Sequence, residues 1–289
     1  MTTAERRSFD RLLTPGGRLL IVAADQRNGM KAAMSDEPGT VSFDELKQAK
    51  YDIAEYLATA APAVLFDPEV ALPGMVDDAA LSPSTALVVG MDASGFDTVD
   101  GVRYTKYVDG VTARIVRDLG GDVAKMLFYM RADRQGLDSL VAQQIRDLVA
   151  ECEREGLLLI VEILVYRLEG ETEEEYARIF PDLVVDAAAI TAACGAKVLK
   201  LQYPGSADAC ARVSAAVPGV PWAVLSAGVD HETFVGQVAE AVAGGARGAM
   251  AGRSIWKDSM SVEAGIRREL LVTRARPRVG ELQAVLDRT

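Results

Sequence analysis

Short apolar runs alternate with amphipathic stretches from one end of the chain to the other, and this rhythm restricts the fold more than any composition figure. Runs of four to eight apolar residues bounded by turn signals read as strands buried on both faces. The first half of the chain holds four: RLLIVAAD (18–25), AVLFDP (63–68), TALVVGMD (85–92) and VAKMLFYM (123–130). The second half adds LLLIVEILVY (157–166), VLKLQYP (198–204), PWAVLSAG (221–228) and RGAMAGR (247–253). Helical patterns lie between most of them. In 137–156, residues Leu137, Leu140, Val141, Leu148, Val149 and Cys152 fall on one face at three- and four-residue spacing. Thr172 with Glu175, and the acidic Glu173 and Glu174 between them, is a capping-box start. The weakest unit is the second, where 69–83 offers only a short helix. Eight such units in 289 residues predict an α/β fold, a single (β/α)8 TIM barrel over residues 1–289, rather than an open doubly wound sheet.

The scarce residues exclude whole classes of chemistry. With one histidine, His231, the chain lacks the two- or three-His sets usual for catalytic zinc or iron, so no metal is expected. There is no GxxxxGK[ST] loop and no GxGxxG after a strand, so no nucleotide cofactor is expected either. His231 follows the seventh strand and suits a helix-start or surface role. Cys152, Cys194 and Cys210 are isolated and odd in number, which reads as buried small hydrophobes rather than a disulfide framework. Trp222 and Trp256 read as packing residues. Lysine plus arginine number 31 against 42 aspartate plus glutamate, a net charge of −11 that argues against nucleic acid or anionic lipid as partners. No run of about 18 apolar residues is present, and MTTAERRSFDRLL lacks the apolar core of a signal peptide, so a cytoplasmic protein without a membrane partner is expected.

Charges inside the apolar runs carry the functional information. Alternate residues of a barrel strand point inward, and barrel active sites sit at the C-terminal ends of the strands. Asp25 ends the first run, Lys125 lies in the fourth, Glu162 in the fifth and Lys200 in the sixth. Period two sets Lys200 with Val198 and Gln202, Glu162 with Ile160 and Leu164, and Lys125 with Leu127 and Tyr129, all facing inward. A buried ion-pair cluster would be the purely structural use of these groups. The functional use is stronger: an apolar surround and a neighbouring cation favour the free amine of a lysine, which attacks carbonyls, and nearby carboxylates move the protons. An anion site is expected beside them. Ser226, Ala227 and Gly228 follow the seventh strand and Gly252 and Arg253 the eighth, the two places where barrels commonly bind phosphate. Small residues there let backbone N–H groups approach oxygens, and Arg253 adds charge-assisted hydrogen bonds.

The motifs AADQRNGMK (23–31), VEILVY (161–166), KVLKLQYP (197–204), LSAGVD (225–230) and AGRSIW (251–256) resemble those of the class I tagatose-1,6-bisphosphate aldolases and the related sulfofructose-phosphate aldolases. The resemblance runs over nearly the whole chain with the motif order kept. The tail ELQAVLDRT and GFDT (95–98) look more like the tagatose-bisphosphate branch, whereas PWAVLSAGVD, AGRSIW and the short chain look more like the sulfosugar branch. The resemblance implies metal-independent cleavage of a ketohexose 1-phosphate derivative to dihydroxyacetone phosphate and a three-carbon aldehyde. It implies Lys200 as the Schiff-base lysine and Glu162 as the proton-transfer carboxylate. Asp25 would orient the amine or a substrate hydroxyl, and Lys125 would hold Lys200 as the free amine and contact substrate oxygens. Ser226, Gly228, Gly252 and Arg253 match an anionic-group pocket, with Gln26 and Arg27 as contacts for hydroxyls or a second anion. The partner implied is a small phosphosugar or sulfosugar phosphate, and a homo-oligomer is expected. GSADACARV (205–213) and YRLEGET (166–172) depart from both branches at the active-site face, which leaves the group at C6 open. Two other functions compete: a phosphosugar-sensing regulator on the same barrel, and another Schiff-base lyase such as a dehydratase.

Overall fold

Leu19, Ile21 and Ala23 turn one way from their strand and Leu20, Val22 and Ala24 the other, and this period-two split sorts the apolar residues of the whole molecule. The first set joins Leu65, Val88, Val123, Ile160, Val198 and Met250 in an interior cluster. The second joins a much larger cluster between sheet and helices. The computed structural model describes residues 1–288 and contains strands β1 (Leu19–Ala23), β2 (Ala63–Phe66), β3 (Ala86–Gly90), β4 (Asp92–Val99), β5 (Val102–Tyr107), β6 (Val123–Tyr129), β7 (Leu158–Leu164), β8 (Val198–Gln202), β9 (Trp222–Leu225) and β10 (Gly248–Ala251). Eight of these close a parallel barrel in the order β1, β10, β9, β8, β7, β6, β3, β2. It is the predicted (β/α)8 TIM barrel, with each predicted strand in place and trimmed by a few residues at its ends. Among the described residues, no helix is long and apolar enough to cross a membrane.

The remaining pair, β4 and β5, is an antiparallel hairpin inserted between the third and fourth barrel strands, which the sequence reading does not anticipate. Its segment carries no long apolar run, but it turns through Asp100 and Gly101 with φ of 51° and 77°, the Asp-Gly signature of a tight hairpin. Asp92, which ends the third apolar run, opens this hairpin instead. The second unit has only the four-residue helix Gly74–Asp77, as expected.

The helix expected over 137–156 is Leu140–Arg154, and its stripe differs from the reading. Val141, Ala142, Ile145, Leu148, Val149 and Cys152 are buried, while Leu137 and Leu140 are 51% and 57% exposed. Leu137 precedes the N-cap Ser139, and three- and four-residue steps from Leu140 reach Gln143 and Gln144, so both leucines fall off the stripe. The capping box is present: Glu175 N–H donates to Thr172 Oγ1 at 3.1 Å and Thr172 N–H donates to Glu175 Oε2 at 2.9 Å, opening the helix Glu173–Ala193. All three cysteines are free and buried. Trp222 and Trp256 are buried as well, and Trp256 Nε1 donates to the carbonyl of Ala23 at the end of β1. The helix Thr3–Asp10 brings Phe9 against the interior cluster, which Leu12 just beyond it also joins.

Candidate active site

On β1, β6, β7 and β8 the inward face begins apolar and then turns charged. Val123 is followed two residues later by Lys125, Ile160 by Glu162, Val198 by Lys200 and Ala23 by Asp25. Lys125, Glu162, Lys200 and Asp25 are only 2%, 7%, 4% and 5% exposed. Glu162 and Lys200 are register partners on β7 and β8, and Lys200 Nζ donates to Glu162 Oε2 at 2.9 Å. The same oxygen lies 2.6 Å from Lys125 Nζ. Lys125 also donates to Asp25 Oδ2 at 3.1 Å and to Asp92 Oδ1 at 2.8 Å. Asp25 therefore pairs with Lys125 rather than with Lys200.

Asp92 is a member of this cluster that the sequence reading leaves without a role. Its Oδ1 also accepts from the backbone N–H of Leu127 at 3.2 Å, which pins the hairpin base to β6. The signal was present, since Asp92 ends the third apolar run as Asp25 ends the first. Burial disfavours the charge on Lys125, but Asp25, Asp92 and Glu162 more than compensate and hold its pKa well above the ordinary lysine value. Burial likewise opposes ionisation of Asp25 and Glu162. For Asp25, Lys125 and then Lys200 overcome that penalty and bring the carboxyl well below the usual range. Lys125 and Lys200 lower Glu162 in the same way. Among the described residues, no three His, Cys, Asp or Glu are arranged to hold a metal ion, and the space between Asp25, Asp92 and Glu162 is taken by the Lys125 ammonium.

Two cavities open onto this cluster and share Gln26, Glu162, Leu164, Lys200 and Arg253 in their walls. The larger, about 310 Å³, extends over Asp25, Asp92, Lys125 and Tyr129 to the hairpin residues Ser94 and Gly95. The smaller, about 230 Å³, runs from Lys200 to Ser226, Ala227 and Gly252. Ala227 in its wall and the adjoining Gly228, which lies outside that lining, take left-handed backbone conformations, with φ of 48° and 89°. A side chain at Gly228 would place its Cβ 3.0 Å from the Arg253 guanidinium carbon, so glycine is needed twice over. Arg253 is exposed and touches the protein through a 3.3 Å hydrogen bond from Nη2 to the Ala227 carbonyl.

Gln26 Nε2 donates to Asp25 Oδ1 at 2.9 Å, while its buried Oε1 has no partner among the described residues. Arg27 borders the larger cavity but spends its guanidinium on the protein: it donates to the carbonyls of Asp25 and Asp92 at 2.8 and 2.7 Å and meets Glu69 at 2.9 Å. Tyr129 lines the larger cavity from β6. Its ring stands edge-on to Phe96 and Tyr166, at 5.2 and 6.1 Å, and the Arg103 guanidinium packs over both of those rings at 4.2 and 4.6 Å. The sequence places Tyr129 on the Lys125 face; the aromatic support from the hairpin is visible only in three dimensions. His231 opens the helix His231–Ala243, lies 2.9 Å from Glu281 and borders neither of the two cavities, in keeping with a helix-start role.

Known proteins resemble this chain over nearly its whole length. The profile of the DeoC/LacD family aldolases matches residues 19–258. The tagatose 1,6-diphosphate aldolase of Lactococcus lactis is 28% identical, covering 100% of this chain and 97% of its own. Tagatose 1,6-diphosphate aldolase 2 of Streptococcus agalactiae is 26% identical with the same coverage. Among solved structures, an archaeal fructose 1,6-bisphosphate aldolase superposes with a TM-score of 0.69 at 18% identity, over 99% of this chain and 100% of that one. A fructose-1,6-bisphosphate aldolase described as Schiff-base-forming gives 0.67 at 18% identity, over 98% and 99%. At such identities the structural likeness speaks for the fold.

Proposed function

The chain belongs to the DeoC/LacD aldolase family, and from that premise we propose that it is a class I aldolase in which Lys200 forms a Schiff base with a ketohexose 1-phosphate derivative. The products would be dihydroxyacetone phosphate and a three-carbon aldehyde. One observation carries the reading: the amine of Lys200, at the junction of the two cavities, lies 2.9 Å from a buried carboxylate whose same oxygen is held at 2.6 Å by a second ammonium.

Lys200 attacks the C2 ketone as its oxygen takes up a proton from solvent, and Glu162 accepts the proton that the nitrogen sheds. Glu162 then returns a proton to the carbinolamine hydroxyl, which leaves as water and gives the iminium. The iminium draws the electrons of the C3–C4 bond as a base removes the C4 hydroxyl proton. The aldehyde departs, and protonation of the enamine followed by hydrolysis releases dihydroxyacetone phosphate and the Lys200 amine. Lys125, kept charged by three carboxylates, offers hydrogen bonds to substrate oxygens, and Asp25 takes a substrate hydroxyl. Ser226, Gly252 and Arg253 hold the C1 phosphate in the smaller cavity, Gly228 acts through the room it leaves for the Arg253 guanidinium, and Gln26 faces the hydroxyls between the two.

The L. lactis and S. agalactiae relatives are named for tagatose 1,6-bisphosphate cleavage, which makes that ketose the first substrate to try. 6-Deoxy-6-sulfofructose 1-phosphate is the second, because PWAVLSAGVD and AGRSIW look more like the sulfosugar branch. The deciding experiment is borohydride reduction with dihydroxyacetone phosphate in EDTA, followed by peptide mapping. A reduced adduct on Lys200 supports the assignment; phosphosugar binding without any adduct replaces it with a sensor.

A further inference from the structure

One buried ammonium outside the barrel holds the backbone on both sides of Asp25. Lys50 lies on the helix Phe43–Leu57 and is fully buried, at 0% exposure. Its Nζ donates to the carbonyl of Ala24 at 2.6 Å and to that of Gln26 at 2.9 Å, and meets Asp67 Oδ2 at 2.7 Å. Two carbonyls and one carboxylate thus surround the ammonium, two as hydrogen-bond acceptors and one as its counter-charge. Asp67, just past the end of β2 and also 0% exposed, is itself held through Oδ1 by the backbone N–H groups of Glu69 and Val70, at 3.1 and 2.9 Å.

A leucine would fill an apolar helix face at less cost, because a buried charge is expensive unless every bond is met. The two carbonyls chosen flank one catalytic aspartate. They lie past Ala23, the last residue of β1, where the final bond of the strand ladder runs from the Ala24 N–H to the Leu65 carbonyl at 2.8 Å. We propose that Lys50 is a positioning residue for the reaction: by tying the peptide before and after Asp25 to the Asp67 anchor, it aims the Asp25 carboxylate at Lys125. The aim is passed on through contacts of 3.1 Å from Asp25 to Lys125, 2.6 Å from Lys125 to Glu162 and 2.9 Å from Glu162 to Lys200. The inference rests on the Schiff-base reading above.

A double-mutant cycle tests it. Lys50→Met in the wild-type enzyme should lower kcat by on the order of tenfold to a hundredfold, the cost of a misplaced reacting group, with KM moved less than about twofold. In an Asp25→Asn background the same change should cost little more, because the group it aims is already gone. An equal loss in both backgrounds, or none in the wild type, overturns the proposal. If Lys50→Met does not fold, Lys50→Met with Asp67→Leu removes both charges together and enters the same cycle. Borohydride trapping on the unmodified enzyme runs alongside: absence of a Lys200 adduct overturns the Schiff-base reading itself, whereas a normal adduct with an additive cycle overturns only the role of Lys50.

Discussion

Glu162 and Lys200 are register partners on adjacent parallel strands, and a single oxygen of Glu162 receives Lys200 at 2.9 Å and Lys125 at 2.6 Å. The two lysines therefore differ in their surroundings although both are buried. Lys200 meets one carboxylate; Lys125 meets three. The first is placed to react and the second to hold charge, and this asymmetry sets the expected behaviour of their variants.

Lys200→Met should abolish turnover, by at least about 10³-fold, because no other amine occupies the junction of the cavities. Glu162 keeps its contact with Lys125, and methionine fills roughly the volume of the lysine stem, so the fold should survive. Circular dichroism with a coupled triose-phosphate assay checks both halves. Undiminished turnover would remove Lys200 from the mechanism.

Lys125→Met should be much the more damaging to stability. It leaves the buried Asp25 and Asp92 without an ion pair, while Glu162 keeps Lys200, and breaking a buried ion pair costs about 3 to 5 kcal/mol. Urea unfolding of the two methionine variants side by side should show the Lys125 variant clearly less stable. Equal midpoints would mean that the three contacts contribute nothing net.

Arg253→Ala should leave the fold intact, since Arg253 is exposed and makes one long bond to the Ala227 carbonyl. Binding of the phosphorylated substrate should weaken by about 1.5 to 3 kcal/mol, the worth of hydrogen bonds to a charged group, so KM rises roughly tenfold to 150-fold. Gly228→Ala should raise KM as well. It places a methyl 3.0 Å from the guanidinium at a φ of 89°, and so displaces Arg253 from its seat. An unchanged KM in both variants would take the C1 phosphate out of the smaller cavity.

Acid should weaken the protein through Asp25 and Glu162. Both carboxyls are held below their ordinary values of 3.8 and 4.5, so the stability they contribute is full above those values and is lost as pH falls below them toward their folded-state pKa. Lys125 works at the other end: its pKa is raised above 10.5, so its contribution is full below that value and lost as pH rises through the folded one. The stability difference between wild type and Asp25→Asn, measured by urea unfolding, should accordingly shrink from pH 7 to pH 3. A difference that stays constant would show that the Asp25 charge is not stabilising.

The barrel and four of its inward charges are legible one strand at a time. Period two is a local property, so RLLIVAAD, VAKMLFYM, LLLIVEILVY and VLKLQYP each declare which face Asp25, Lys125, Glu162 and Lys200 share with apolar neighbours. The exposed Leu137 and Leu140 show where such reading slips, because a helical stripe is defined only once its N-cap is placed. Asp92 slipped for a different reason: an unanticipated hairpin begins where the third strand was expected to end.

By itself the sequence determined the strand alternation, the inward direction of each charge, and the small residues that follow the seventh and eighth strands. These depend on residues a few positions apart. Which amine meets which oxygen was decided only by the tertiary structure, through the stagger of neighbouring strands. That stagger sets Glu162 beside Lys200, folds Asp92 back onto Lys125, and brings Lys50 from an outer helix to the carbonyls around Asp25. The physical reason is reach: hydrogen bonds and ion pairs act over about 3 Å, and only closure of the barrel brings groups a hundred residues apart within that distance.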